Sequence, residues 1–240
     1  MDKKIFAGLQ NKEYVSNSPI IVLAYHNIIV ARTVDDDLYS VTLNNFKKHL
    51  DIIKRYYNVI NPEQLFPVGI LKKPQVLITF DDGKINNFQL AFRELVKRKM
   101  SAAFFISTKL MNTKDYMTWD NIVTMHKAGM HIGSHGHGHK NFGIIDKEET
   151  AFELSESKRI LEDRLQTAIF SFAYPYGNSC NIKEEDKDIL ARLDYKLAFT
   201  FGGGAWKKLK DCYRIPRFMV VDVLDTTLRS QLQEAFSSAL

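Results

Sequence analysis

The chain has 240 residues, of which 45% are apolar and 25% charged, with a formal net charge of +5. This is the make-up of a soluble globular protein and excludes disorder. Lys and Arg interleave with Asp and Glu, so no basic block demands nucleic acid, although an acidic or phosphorylated ligand is tolerated. No stretch reaches the roughly 20 apolar residues of a membrane span. Cys180 and Cys212 form no CxxC pattern and read as reduced thiols. Met1 to Tyr14 holds charges around a short apolar patch rather than a secretory core, which points to a cytoplasmic protein. Residues 1–18 read as an N-terminal extension and 19–240 as one folded unit.

In chain order, Pro19 to Tyr25 is an apolar strand with a polar residue, His26, only at its end. His26 is open to two readings, a ligand or a group supporting one, and a structural strand-end histidine. The acidic triplet Asp35-Asp36-Asp37 lacks the spacing of a calcium loop and reads as solvated. Leu43, Phe46, Leu50, Ile53 and Tyr57 then recur at helical spacing within Thr42 to Tyr57. Asn61 to Phe66 reads as a short helix or turn, and Lys72-Lys73-Pro74 leads into the strand Val76 to Phe80. Helical spacing returns from Ile85 to Lys97 through Phe88, Phe92, Leu95 and Val96, before a strand at Ala102 to Ile106. A helix capped at Thr118 runs to Lys127, Gly129 stops it, and Met130 to Ser134 is the next strand.

Beyond a histidine-rich segment, Asp146 to Leu165 is a long polar helix with Phe152, Leu154, Ile160, Leu161 and Leu165 as its apolar contacts. Ile169 to Ala173 is strand-like, Lys183 to Leu193 helical, Lys196 to Thr200 strand-like and Gly202-Gly203-Gly204 a flexible loop. Tyr213 to Val220 gives the last strand and Asp225 to Phe236 the last helix. Strands therefore alternate with helices throughout, which predicts an α/β fold with a parallel sheet wrapped by helices, closed as a barrel or open and doubly wound. The unusual residues fall just after strands, where such folds bind ligands.

Two constellations stand out. The apolar run Val76 to Phe80 ends in Asp81-Asp82-Gly83. Side chains alternate along a strand, so the two carboxylates serve different purposes, one suited to an ion and its neighbour to a substrate proton. The plainer alternative is an Asp capping the helix that follows. The second constellation is His135-Gly136-His137-Gly138-His139, three of the seven histidines in the chain. In a loop opening into a helical turn, His135 and His139 share a face, and with Asp82 they make a His2Asp set with positions left open. Such a set suits zinc, with cobalt, nickel or iron by availability. Asp81 is then placed as general base for an amide hydrolysis. The alternative for the histidines alone is a glycine-softened surface loop that picks up adventitious metal.

Thr79-Phe80-Asp81-Asp82-Gly83, followed by Ser134-His135-Gly136-His137-Gly138-His139 and then Phe172-Ala173-Tyr174-Pro175-Tyr176-Gly177, resembles the motifs of the polysaccharide deacetylases, the NodB-homology or carbohydrate esterase family four. The likeness runs from about Ile20 to Val221, and Tyr25-His26 resembles the opening of the branch that contains poly-N-acetylglucosamine deacetylases. The resemblance implies a single-domain distorted (β/α)7 barrel over 19–240 and metal-dependent removal of N-acetyl groups from N-acetylhexosamines. By position it assigns Asp81 as base, Asp82, His135 and His139 as metal ligands, and Tyr174, Pro175 and Tyr176 as a wall of the substrate groove. The backbone N–H of Tyr176 is available to an oxyanion.

The sequence departs from that pattern at three places. Gly136 cannot supply the hydroxyl that often follows the first histidine. Ala173 and Tyr174 stand where many members carry an Arg that orients the base, and Arg214 or Arg217 from the last strand is the expected replacement. No histidine follows His139, so the late histidine that many members use as general acid is missing, and His137 has no assigned role. The expected substrate is an N-acetylhexosamine unit of a glycan or of a nucleotide- or lipid-linked precursor, with peripheral contact to a lipid-linked form. The rival expectation is a carbohydrate-binding protein that kept the barrel and lost turnover.

Overall fold

The structure, a computed structural model, describes residues 19–65, 74–206 and 211–237. The N-terminal extension, Phe66 and Lys72-Lys73 lie outside the described residues. Seven parallel strands close into a barrel: β1 (Ile20–Tyr25) pairs on one side with β5 (Gln75–Phe80) and on the other with β10 (Ile215–Met219). Between them run β6 (Ala103–Ile106), β7 (His131–Ser134), β8 (Ser171–Ala173) and β9 (Leu197–Phe201), each parallel to its neighbours. All seven were legible in the sequence as strands. Three short strands were not: β2 (Asn27–Ile29) pairs with β3 (Ser40–Thr42), and β4 (Asn58–Ile60) lies along the first half of β5, below the point where β6 takes over.

Among the described residues, six α-helices dress the outside: α1 (Leu43–Tyr56), α2 (Arg93–Arg98), α3 (Trp119–Lys127), α4 (Lys147–Leu165), α5 (Asp186–Arg192) and α6 (Asp225–Ser237). Thr42, Thr118 and Asp146 cap α1, α3 and α4 by accepting from the backbone N–H three residues on, each such cap contributing about 1 kcal/mol. Two expected helical contacts point elsewhere. A π-helical stretch, Asn87–Phe92, precedes α2 and shifts its face, so that Asn87, Ala91 and Leu95 are buried while Val96 is exposed. On α4 the buried face holds Thr150, Glu153 and Ser157 beside Leu154 and Leu161, and Phe152 is exposed.

Strand parity sorts the core into two layers. Ile20 and Val22 of β1, Leu77 of β5, Ala103 and Phe105 of β6, and Ile215 of β10 belong to the cluster that fills the barrel. Their alternates, among them Ile21, Leu23, Val76, Ile78, Phe104 and Phe172, pack outward under the helices. Among the described residues, no helix is long and apolar enough to cross a membrane.

Candidate active site

Parity carried past the strand ends decides which side chains meet over the barrel. On β5 the inward set Leu77, Thr79 continues to Asp81, which is fully buried. On β1 the set Ile20, Val22 continues toward His26, and the pairing of Tyr25 with Phe80 sets His26 beside Asp81, Nε2 to Oδ2 at 3.8 Å. On β10, Ile215 is followed in phase by Arg217, also fully buried, whose two terminal nitrogens each donate to one Asp81 oxygen at 2.7 Å. Arg217 Nη1 also donates to Thr79 Oγ1 at 3.2 Å, and its guanidinium lies 4.6 Å from the Phe201 ring centre. Arg214 has the opposite phase and pairs with Glu184 at 2.8 Å on the surface. Of the two arginines expected beside the base, the structure brings Arg217 and corrects Arg214.

Asp82 does not follow the alternation. Its φ of 71° lies in the left-handed region and turns its carboxylate back over the barrel mouth. Oδ1 lies 3.5 Å from His135 Nε2 and 3.2 Å from His139 Nε2. The ligand atoms of Asp82, His135 and His139 all lie within 4.8 Å of one another. His135 Nδ1 donates to the Ala173 carbonyl at 2.7 Å, which leaves Nε2 as a lone-pair donor, the arrangement typical of metal-ligating histidines. Two imidazoles with one carboxylate fit a divalent cation of the zinc type.

The two histidines share a face for a different reason from the helical turn expected. Residues 135–139 form a loop, and φ of 77° at Gly136 and 55° at His139 fold it back on itself. A Cβ on Gly136 would sit 3.0 Å from Glu153 Oε2. In place of the missing hydroxyl, Glu153 Oε2 accepts from the Gly138 N–H at 2.7 Å and Ser134 Oγ from the Gly136 N–H at 3.2 Å. His137 is turned away from the site, its Nδ1 2.9 Å from Thr108 Oγ1.

The tyrosines separate. Tyr174 continues the outward phase of Phe172, is 1% exposed and packs on Phe142 and Phe172, so its expected place in a groove wall is corrected to the core. Pro175 is buried as well. Tyr176 alone is exposed, its ring centre 5.0 Å from that of His139.

Charge is strongly arranged here. Burial pushes the Asp81 carboxyl upward, but the charge and hydrogen bonds of Arg217 together with His135 and His26 hold the group below its ordinary value. Burial acts on Asp82 in the same way, and its hydrogen bonds with His135 and His139 hold it well below the carboxylate range. Burial lowers the His26 pKa against the opposing pull of Asp81 and Asp82, leaving a neutral imidazole. Burial also works to lower His139, yet Asp82 prevails and raises it.

His26 and Arg217 are the site residues that motif reading left open. The remaining histidines lie elsewhere: His126 in the last turn of α3, His49 with the Val223 carbonyl at 2.8 Å, and His131 with Glu63 and Ser171 at 2.8 and 2.7 Å. The signal that finds both is the phase shared with Val22 and Ile215.

A parallel barrel with a buried carboxylate–guanidinium pair and a His2Asp set at the carboxyl ends of its strands places a candidate cation site beside a buried acid, where such folds bind their ligands. The polysaccharide deacetylase profile matches residues 69–198, more than half of the chain, and the chain belongs to that family. His26 and Arg217 both lie outside the matched stretch. The chain is 26% identical over 204 residues to YxkH of Bacillus subtilis (strain 168), which carries a provisional polysaccharide-deacetylase name; the match covers 83% of this chain and 70% of that protein. Its fold is similar to that of the Streptococcus pyogenes deacetylase PplD in complex with acetate, with TM-score 0.80 and 24% identity, covering 91% of this chain and 98% of the other. It is also similar to IcaB from Ammonifex degensii, with TM-score 0.72 and 21% identity over 94% and 99% of the two chains.

Proposed function

We propose that this chain is a divalent-metal-dependent hydrolase that removes N-acetyl groups from N-acetylhexosamine units of a glycan or of a nucleotide- or lipid-linked precursor. The observation that carries the reading is the convergence of Asp82 Oδ1, His135 Nε2 and His139 Nε2 within 4.8 Å beside a buried second carboxylate. A cation held by these three, zinc or in its place cobalt, nickel or iron, supplies a Lewis acid and lowers the pKa of water.

The remaining work falls to the chain itself. Asp81, kept ionised and oriented by both arms of Arg217, accepts a proton from the attacking water. The backbone N–H of Tyr176 is assigned to the oxyanion that forms as water adds to the acetyl carbon, and its exposed ring to the sugar. His26 Nε2, 3.8 Å from Asp81 Oδ2, is assigned the proton delivered to the leaving amine, which fills the gap left by the missing late histidine. This assignment weakens the rival reading of an inactive carbohydrate-binding protein. The apolar surface offered to a lipid-linked form would be Val30, Val34 and Leu38, exposed on the loop between β2 and β3.

The test is acetate release from N-acetylglucosamine oligomers and from UDP-N-acetylhexosamines, with zinc, cobalt or nickel added and after chelation. Metal-dependent release from one of these classes is expected. A metal-loaded protein that releases acetate from none of them overturns the reading.

A further inference from the structure

The π-helical stretch after Asp81 and Asp82 opens on Asn87, an amide that is fully buried. Stretches of this kind recur at functional sites, where helical regularity gives way to the placing of a side chain. Asn87 Nδ2 donates to the backbone carbonyl of His26 at 2.6 Å, so the residue grips the end of β1 where the imidazole leaves it. The neighbouring Asn86 Nδ2 donates to Asn27 Oδ1 at 3.4 Å, and the segment after the strand is held from the same helix at two consecutive residues. Two buried atoms on these joined residues lack a hydrogen-bond partner: Asn87 Oδ1, an acceptor, and His26 Nδ1. Buried polar groups are paired in the great majority of cases, and an unpaired acceptor and an unpaired ring nitrogen on two residues joined by a hydrogen bond point to one function for both.

Resting on His26 as the proton donor, we propose that Asn87 is its positioning residue. The Asn87 amide N–H fixes the His26 backbone, and Asn87 Oδ1 receives the His26 Nδ1–H across one water during the reaction. Nε2 is then the nitrogen that exchanges the proton, and it is the one that faces Asp81. The proton taken from water by the Asp81 carboxylate passes to His26 Nε2 and on to the amine nitrogen. The C–N bond breaks with its electron pair on that nitrogen, and acetate keeps the water oxygen. An amide orienting a catalytic imidazole has this division of labour in the Cys-His-Asn hydrolases.

The test compares two substrates that differ in their need for an acid. An N-acetylglucosamine oligomer expels an amine that must be protonated, whereas 4-nitrophenyl acetate expels a phenolate that need not be. In metal-loaded protein, Asn87→Ala is expected to lower kcat on the oligomer by about tenfold or more, a part of what general acid catalysis contributes. KM and the aryl acetate rate should stay near those of the parent. Asn87→Asp, which keeps the acceptor but loses the donor that grips the His26 carbonyl, should recover only part of the loss. Nitrogen NMR of the imidazole should show the Nδ1–H form in the parent and in Asn87→Asp, and a mixture in Asn87→Ala. Equal losses on both substrates, or no loss in Asn87→Ala, overturn the proposal. His26→Ala separates the two layers: if it shows no difference between substrates, the donor assignment of His26 fails, and if it does while Asn87→Ala does not, only the role of Asn87 fails.

Discussion

Arg217 is the side chain whose burial is hardest to compensate, because a guanidinium taken out of water forfeits its hydration. Both of its terminal nitrogens are matched to the Asp81 oxygens at 2.7 Å, while its Nε has no hydrogen-bond partner. A pair of this kind stabilises little by itself but is expensive to break from one side, since the survivor is a buried unpaired charge. Arg217→Met is therefore expected to destabilise the fold by about 3 to 5 kcal/mol, read as a lowered urea midpoint. Arg217→Lys keeps the charge but cannot span both oxygens, and it should lower kcat while leaving metal stoichiometry intact. At the neighbouring residues the two carboxylates should separate cleanly. Asp82→Ala is expected to lose metal retention on dialysis, whereas Asp81→Asn should keep the ion and lower acetate release by about a hundredfold or more. Normal rates in Asp81→Asn would refute its assignment as base.

At the scale of elements, the loop after β7 shows why a motif can be visible while its mechanics are not. His135 and His139 announced themselves by residue type and spacing. What aligns them is a pair of left-handed residues, at 136 and 139, and a carboxylate from another element, Glu153, none of which leaves a periodic trace. The periodicity of α4 pointed to Phe152, which is exposed, because its inward face is polar where it serves the loop. Similarly, Tyr174 looked like a groove residue until strand parity assigned it to the core with Phe172. Gly136→Ala tests the loop directly. The new Cβ meets Glu153 Oε2 at 3.0 Å and occupies a backbone conformation at φ 77° that L side chains avoid. A cost of about 1 to 2 kcal/mol is expected, with weaker metal affinity by titration calorimetry. Unchanged affinity would show that the loop does not need its left-handed turn to hold the ligands.

Across the whole molecule, the barrel was legible because strands buried on both faces leave uninterrupted apolar runs, as in Ile20 to Ala24 and Val76 to Ile78. β2, β3 and β4 went unread because three residues give no period to detect. The same closed architecture gathers carboxylates into partly or wholly buried places, and this sets its response to acid. Burial would raise Asp81, Asp82, Asp222 and Glu63, but their partners, Arg217, His135 with His139, Thr42 with Asn45, and His131 respectively, leave each lowered in the folded state. A carboxylate depressed by folding contributes stability above its unfolded value, 3.8 for Asp and 4.5 for Glu, and that contribution disappears as pH falls through the folded value. Asp186, raised chiefly by its burial, acts in the opposite sense and favours the fold at lower pH, but it stands alone against these four and Glu94, which despite its burial is lowered by Lys97 and Arg98. Beyond the loss that the lowered His26 and His49 begin below their ordinary 6.5, metal-free protein should therefore lose stability steadily below about pH 4.5, read as a falling urea midpoint. Glu63→Gln, which removes one of the four without touching the site, should flatten the upper part of that decline. A midpoint that instead rises on acidification from pH 5 to pH 3 would mean that these carboxylates are not held ionised by their partners in the folded barrel.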